Sequence, residues 1–357
     1  MTSSNGSRGG EVIQDWPIDG LERVQSCPVC GSPRRRQLYS GLTDKAFRCS
    51  SGRWDLYQCG ECQSAYLDPR PTPATIGLAY AKYFTHAESL SADTEHLSGL
   101  HRIRRALANG YRNHRFGTEL QPASRLGIVA AMLLPGQRKL IDAERRGVPS
   151  ARPGMRLLDV GCGNGEFLAL ARSAGWAVVG VEPDRKAVAV ARSRGIDVRE
   201  GGLETLDPAT ESFYGITLNH VIEHVHEPLE VLRRCHALLK PGGWIWLETP
   251  NIEAQGHERY GSAWRGLEPP RHLVIFTWAS LILALEEAGF QAIEKQPYRP
   301  LCANVFAASE AIAKDESPST ASHLSKQARR AAKAMERKAR NDPKLREFVT
   351  IKAWKMA

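Results

Sequence analysis

The stretch LLDVGCGNGEFL, Leu157–Leu168, decides the fold of this 357-residue chain. An apolar run ends in an acid, Asp159, and three glycines then alternate with other residues before a helical pattern begins. This order is typical of a parallel strand that crosses over to a helix, and ligands bind beyond the carboxyl ends of such strands. The pattern therefore predicts a binding site at the turn formed by Gly161, Gly163 and Gly165.

Strand and helix patterns continue to alternate from Met155 to the C-terminus. The predicted strands are RLLDV, AVVGVEPD, IDVRE, FYGITLNHV, WIWLETPN, QAIEKQPY and EFVTIKAW. Helical patterns lie between them, and one of these, PLEVLRRCHALLKPGG, is expected to stop at its Pro-Gly-Gly. The alternation predicts an α/β fold with a doubly wound, mostly parallel seven-stranded sheet.

Two details of the glycine turn distinguish a dinucleotide ligand from a cationic one. The spacing is GxGxG, so the third glycine falls one residue early for the fingerprint of a dinucleotide site. Asp159, just before the turn, would repel a pyrophosphate and suits a cationic ligand. S-adenosylmethionine fits both details, because it carries a sulfonium and an ammonium but no phosphate.

LLDVGCGNG resembles the first motif of the class I S-adenosylmethionine-dependent methyltransferases. VVGVEPD, GGLETL and LLKPGGWIWLETPN resemble later motifs of the same family, in the same order, and the resemblance covers about residues 155–355. It implies an enzyme that uses S-adenosylmethionine, with Asp159 near the methionine ammonium and the three glycines under the cofactor. It also implies that Glu182 accepts the ribose hydroxyls and that the turn with Glu204 lies beside the adenine. A sheet whose glycines serve only a tight turn is the structural alternative.

NHVIEHVHEP is similar to the fourth-strand segment of the ubiquinone-biosynthesis O-methyltransferases, with Glu223 and His224 at matching positions. That group often has an acid where this chain has His220, which speaks against a magnesium ion because hard ions prefer oxygen ligands. A hydroxyl acceptor must lose a proton, and histidine is the usual base near neutral pH. The candidate bases are His220, His224 and His272; the last lies in the long loop after the fifth strand.

Two CxxC pairs, Cys27 with Cys30 and Cys59 with Cys62, lie near the start of the chain. Each turn can direct two thiolates at one ion, and four thiolates would close a structural zinc site with no open position. The 28 residues between the pairs predict an excursion from the ribbon hairpin, with Cys49 inside it and outside the ligand set. Four unrelated reduced cysteines are the alternative.

These patterns divide the chain into three regions. A zinc-ribbon-like module is predicted over residues 1–70, a helical connector that covers one side of the active site over 71–150, and the S-adenosylmethionine-binding domain over 151–357. A basic helical insertion, at about 310–342, precedes the last strand. Its segment Ala321–Arg340 has a thin apolar stripe opposite a basic face, which indicates a solvated surface helix or contact with a polyanion or an acidic membrane surface.

Composition limits the class of protein. With 42% apolar and 24% charged residues the chain reads as globular, and it has no apolar run long enough for a signal peptide or a membrane span. A cytoplasmic protein is therefore expected. The formal net charge of +9 allows nucleic acid as a partner but does not require it.

Three functions are compatible with these observations. The leading hypothesis is methylation of a hydroxyl on a small-molecule or glycan acceptor. An RNA methyltransferase is the second, because some ribosomal-RNA methyltransferases also join a zinc ribbon to this fold; the fourth strand, however, lacks the Asn/Asp-Pro-Pro-aromatic signature of many enzymes that methylate base amines. The third is a non-catalytic binding scaffold, against which the intact cofactor motif speaks.

Overall fold

The N-terminal part of the chain forms a small antiparallel module in a computed structural model that describes residues 16–80, 99–318 and 324–356. Its strands are β1 (Leu21–Glu22), β2 (Arg35–Leu42), β3 (Trp54–Cys59), β4 (Ala65–Leu67) and β5 (Arg70–Pro71). β2, β3 and β4 pair in succession, and β1 pairs with β5. The loop from 43 to 53, between β2 and β3, is the excursion that the cysteine spacing predicted.

Three helices follow in the region predicted to be a helical connector: α1 (Gly99–Phe116), α2 (Leu126–Leu133) and α3 (Pro135–Glu144). α1 and α2 cross at two glycines. A Cβ on Gly110 would lie 1.7 Å from the carbonyl oxygen of Ser124, and one on Gly127 would lie 1.9 Å from that of Leu107. The two backbones touch there because neither glycine has a side chain.

No helix within the described ranges is long and apolar enough to cross a membrane.

The seven predicted strands form from residue 156 onward; the fifth begins at Leu239 instead of Trp244, and a short helix and a two-residue strand that the sequence did not predict lie in the loop after it. In chain order the elements are β6 (Arg156–Val160), α4 (Glu166–Ser173), β7 (Ala177–Glu182), α5 (Arg185–Ser193), β8 (Asp197–Glu200), β9 (Phe213–Asn219), α6 (Pro228–Leu238), β10 (Leu239–Pro250), α7 (Gln255–Tyr260), β11 (Val274–Ile275), α8 (Trp278–Glu287), β12 (Gln291–Lys295), α9 (Cys302–Ala313), α10 (Lys326–Asn341) and β13 (Phe348–Trp354). α6 ends before the predicted Pro-Gly-Gly stop, because a proline at 241 disfavours helical backbone at Lys240.

Seven of these strands form one sheet in the order β12-β13-β10-β9-β6-β7-β8. β13 runs antiparallel to both of its neighbours, and the other pairs are parallel. The predicted doubly wound, mostly parallel seven-stranded sheet is thus confirmed. The strand order reverses between β6 and β9, so their carboxyl ends open the crevice in which such sheets bind ligands.

α10 occupies the place of the predicted basic insertion before the last strand; residues 321–323 of that segment lie outside the described residues. Ala328, Ala332 and Ala339 are buried, and Met335 packs in a cluster with Phe306 of α9. The apolar stripe is therefore covered by the protein itself, and α10 presents its basic face outward.

β11 joins the small sheet to the large domain. Val274 and Ile275 pair with Tyr66 and Ala65 of β4, which makes a four-stranded sheet in the order β11-β4-β3-β2. Trp54 and Tyr66 of the small sheet also lie in the same buried cluster as Ile216 and Phe276. The cysteine-bearing module therefore shares both a sheet and a core with the large domain.

Candidate active site

A cleft of about 1230 Å³ opens at the carboxyl ends of β6, β7 and β9. Seven of the residues that the sequence singled out line it: Gly161, Gly163, Glu182, Glu204, His220, His224 and His272. Asp159 and Gly165 do not line it. Chain segments far apart in sequence thus meet at the sheet edge where the glycine turn predicted a ligand site.

The three glycines of the turn have different roles. All have positive φ angles, +67° at Gly161, +53° at Gly163 and +76° at Gly165. A Cβ on Gly163 would meet no atom within 4 Å, so the backbone there faces open cleft. A Cβ on Gly165 would lie 3.0 Å from Cβ of Ala191, so this glycine lets α4 approach α5. The first two glycines shape the cleft, and the third serves helix packing.

Glu182 ends β7 and is held in place by the glycine turn. Its Oε2 accepts a hydrogen bond from the backbone N–H of Gly163 (2.8 Å), and its Oε1 accepts one from that of Asp184 (2.9 Å). Burial raises the pKa of Glu182, and the two backbone N–H groups oppose that rise. Glu204, which follows β8, accepts a hydrogen bond from the N–H of Gly202 at 2.6 Å. Both carboxylates keep lone pairs that a ligand's hydroxyl or amino groups could use.

Asp159 lies behind the cleft wall and is fully buried. Its Oδ1 accepts hydrogen bonds from Arg146 Nη1 (2.5 Å) and Thr217 Oγ1 (2.7 Å), and the Arg146 guanidinium carbon lies 3.8 Å from the centroid of the Phe167 ring. Its Oδ2 has no hydrogen-bond partner among the described residues. The carboxylate therefore keeps one acceptor for a donor that the described chain does not supply. Sequence reasoning missed Arg146, which stands just after α3 without a motif of its own.

His224 and His272 form a pair of neutral imidazoles. His224 Nδ1 lies 3.0 Å from the carbonyl oxygen of Arg271, and His272 Nδ1 lies 2.7 Å from that of Gly266. Since a carbonyl can only accept, each Nδ1 carries a proton, and in the neutral ring Nε2 carries the lone pair. The ring centroids are 4.7 Å apart. Burial lowers the pKa of His224, and it lowers that of His272 further, together with the neighbouring His224.

His220 has the opposite electrostatic environment. It stands at the end of β9 with a positive φ of 55°, an uncommon backbone state for a residue with a side chain. Its Nδ1 lies 3.1 Å from Glu223 Oε1, and its Nε2 lies 3.7 Å from Glu248 Oε1. Burial alone would lower the pKa of His220, but the hydrogen bond to Glu223 and the charges of both carboxylates outweigh it and raise the pKa. The raised pKa favours the protonated ring, which has no lone pair with which to accept a proton.

Tyr80 is a cleft residue that sequence reasoning did not single out. Its hydroxyl lies 3.0 Å from His224 Nδ1, and it lines the cleft together with Ile76 and Gly77. The three residues follow β5, so the start of the predicted connector does reach the active site. Only the aromatic character of the surrounding AYAKYF could have drawn attention to it.

Among the residues that the structure describes, two groups of side chains have the spacing of metal ligands. The four predicted cysteines bring their sulfurs within 4.8 Å of one another, with Cys27 to Cys62 at 3.6 Å and Cys30 to Cys59 at 3.5 Å. Thiolates about 2.3 Å from a tetrahedral zinc stand about 3.8 Å apart, so the cluster fits that ion. Cys49 lies outside the cluster. The second group, Glu223, His224 and His272, has ligand atoms within 4.8 Å of one another, and its two imidazoles do not suit magnesium.

The chain is similar to known methyltransferases. Residues 136–295 match a family model described as a methyltransferase domain. The ubiquinone biosynthesis O-methyltransferase of Bordetella bronchiseptica is 37% identical over 105 residues, which cover 28% of this chain and 44% of that protein. The protein of the same name from Xanthomonas campestris pv. campestris is 38% identical over 108 residues, 28% of this chain and 45% of the relative. The match thus spans less than half the length of these curated relatives.

Solved structures were also found to be similar. An S-adenosylmethionine-dependent methyltransferase from Archaeoglobus fulgidus is 22% identical, with 64% of this chain and 99% of that chain covered at a TM-score of 0.43. One from Mesorhizobium loti is 20% identical, with 60% and 97% covered at a TM-score of 0.40. With the family match, the strand order and the glycine turn, the resemblance to class I S-adenosylmethionine-dependent methyltransferases is confirmed for the large domain.

Proposed function

We propose that this protein uses S-adenosylmethionine to methylate a hydroxyl group on a small-molecule or glycan acceptor. The observation that carries the proposal is the pair His224 and His272, whose unprotonated Nε2 atoms stand in the same cleft as Gly163 and Glu182. A hydroxyl acceptor needs a base, and the cleft offers two imidazoles that are neutral near pH 7.

The residues present fit the cofactor. Gly163 leaves room beside the backbone, Glu182 offers acceptors for two hydroxyls, and Glu204 also lines the cleft. The unpartnered Oδ2 of Asp159 suits the donor that a methionine ammonium presents. When bound, S-adenosylmethionine supplies the methyl group as an electrophile.

The chain's own residues then have three tasks. The walls of the cleft align the acceptor oxygen, because an in-line displacement depends mainly on orientation. His224 or His272 takes the hydroxyl proton on Nε2. The carboxylate of Glu223 stabilises the imidazolium so formed at His224, since its charge favours the protonated ring. The raised pKa of His220 favours a positive charge beside that carboxylate.

The four-cysteine cluster is proposed to hold one structural zinc ion. Four thiolates fill the coordination sphere, so the ion would have no open position for substrate. Its contribution would be to fold the turns that begin β2 and β4.

Transfer of labelled methyl groups tests the proposed reaction. Purified protein with radiolabelled S-adenosylmethionine is offered hydroxylated aromatic compounds, nucleotide sugars and total RNA in parallel, beside a His224→Asn, His272→Asn double variant. Label in a small-molecule or sugar fraction with the parent, and at least about a hundredfold less with the double variant, is the expected result. Label in RNA alone would support the second function, and cofactor binding with no transfer to any acceptor would support the scaffold.

A further inference from the structure

The corner between α2 and α3 exposes an unusual amount of apolar surface. Met132 is 69% exposed, Leu133 75% and Leu134 55%, and every residue from 132 to 140 is exposed. Leu126 and Val129 continue the same face of α2 at 69% and 53%. We call residues 126–140 the α2–α3 corner.

Packing within the protein does not require these side chains. α2 meets α1 through small residues, with Gly127 and Ala131 buried, while its large apolar residues point away from the contact. The described residues contain eleven exposed large hydrophobic side chains, and eight of them lie between Leu100 and Leu140. Such a concentration marks a surface that meets another apolar phase, because single exposed hydrophobic residues are normally scattered.

The same region has an excess of basic over acidic residues. Residues 99–146 contain ten arginines or lysines and three acids, a formal charge of +7 out of +9 for the whole protein. Arg138 and Lys139 are exposed on the corner itself, and Arg125 is exposed just before it. Apolar side chains beside basic ones are typical of segments that lie in the interface of an anionic bilayer.

We infer that the α2–α3 corner docks the protein on an anionic lipid surface, with Met132, Leu133 and Leu134 inserted among the acyl chains. α2 has only eight residues, so it can lie in the interface but cannot cross it. A second copy of the chain fits less well, because a two-fold interface would bring two segments of charge +7 together.

Vesicle sedimentation tests this inference without reference to catalysis. The full-length protein is mixed with vesicles of phosphatidylglycerol and phosphatidylcholine, or of phosphatidylcholine alone. A Met132→Glu, Leu133→Glu double variant is expected to lose about tenfold or more of its partition to the anionic vesicles. Leu283→Glu, at a 42% exposed position on α8, is the matched control and is expected to bind like the parent. Binding is also expected to weaken as salt is raised.

Circular dichroism and light scattering complete the test. Both positions of the double variant are exposed, so its unfolding transition is expected to match that of the parent. Equal partition of parent and double variant, or no preference of the parent for anionic over neutral vesicles, would overturn the inference. A parent dimer that the double variant loses, with no vesicle binding by either, would overturn it in favour of a second copy.

Discussion

The three histidines of the cleft owe their different properties to their hydrogen-bond acceptors. His224 and His272 donate from Nδ1 to backbone carbonyls, which fix the tautomer without adding charge. His220 lies between Glu223 and Glu248, whose charges raise its pKa. The sequence predicted all three as candidate bases, and only the identity of their neighbours, which comes from tertiary contacts, distinguishes them.

The loss of activity at low pH should reflect the protonation of His224 and His272. Burial lowers the pKa of His224 and of His272 below the ordinary 6.5, so the lone pair that accepts the proton persists to lower pH than in a free histidine. We expect the acid-side decline of kcat/KM to have its midpoint below 6.5, in a profile measured between about pH 5 and 8. A midpoint above 6.5 would contradict the assignment.

His272→Asn should remove much of the rate and little of the binding. The amide is close in size to imidazole but is not a base, so we expect kcat to fall by about two to four orders of magnitude. Affinity for S-adenosylmethionine, measured by calorimetry, should be unchanged. His236→Asn, at a histidine that packs on Phe290 outside the cleft, is the control. A full rate in His272→Asn would leave His224 as the sole candidate base.

Glu182→Ala should weaken cofactor binding. Hydrogen bonds to a charged group contribute about 1.5 to 3 kcal/mol each, so we expect the dissociation constant for S-adenosylmethionine to rise by about one to two orders of magnitude. Glu200→Ala, at the exposed end of β8, removes a carboxylate outside the cleft and serves as the control. Equal affinity in a folded Glu182→Ala protein would show that Glu182 does not bind the cofactor.

The sequence pattern predicted the helices and strands that are long enough to have a recognisable pattern. Most strands and helices from β6 to β13 were recognisable, the strands by short apolar runs such as RLLDV and the helices by apolar residues at helical spacing. β11 was not, since a two-residue strand has no period and exists only because β4 offers it an edge. The ion pair of Arg146 with Asp159 and the contact of Tyr80 with His224 were missed for the same reason, because both join residues that are distant in sequence.

The crossing of α1 and α2 gives a test at the level of elements. In Gly110→Ala the new Cβ would overlap the backbone of Ser124, which cannot move aside as a side chain does. We expect the free energy of unfolding to fall by about 1 to 3 kcal/mol in urea denaturation. Gly136→Ala on α3, where a Cβ meets nothing within 4 Å, should be neutral or slightly stabilising. Equal stability of the two variants would mean that the helices do not cross as described.

On the scale of the whole molecule, the cysteine cluster is linked to the acceptor side of the cleft. β4 follows the second cysteine pair and hydrogen-bonds β11, which begins two residues after His272. The backbone N–H of Leu67 donates to Leu273, and that of Leu273 donates to Glu223. The proposed cofactor side, formed by Gly161, Gly163 and Glu182, lies instead at the ends of β6 and β7.

Cys59→Ser should therefore reduce methyl transfer without weakening cofactor binding. A structural zinc supplies about 10 kcal/mol or more of apparent folding free energy to a small module, so its loss should disorder β3 and β4 and reduce methyl transfer. Affinity for S-adenosylmethionine should stay within a few-fold of the parent, about 1 kcal/mol. Metal analysis and calorimetry measure both, and Cys49→Ser, outside the cluster, is expected to keep zinc and activity. Collapse of cofactor binding together with zinc loss would show that the ribbon also shapes the cofactor side.

The pairing of β4 with β11 also affects how the chain is made. The ribosome releases Ala65–Leu67 long before Val274–Ile275, so the nascent N-terminal sheet has an open edge during most of synthesis. An uncovered edge invites pairing with other chains. The shortness of β4, three residues, limits that hazard while the chain grows. The last strand to reach the small sheet is thus the one that closes it, and it arrives joined to the loop that carries His272.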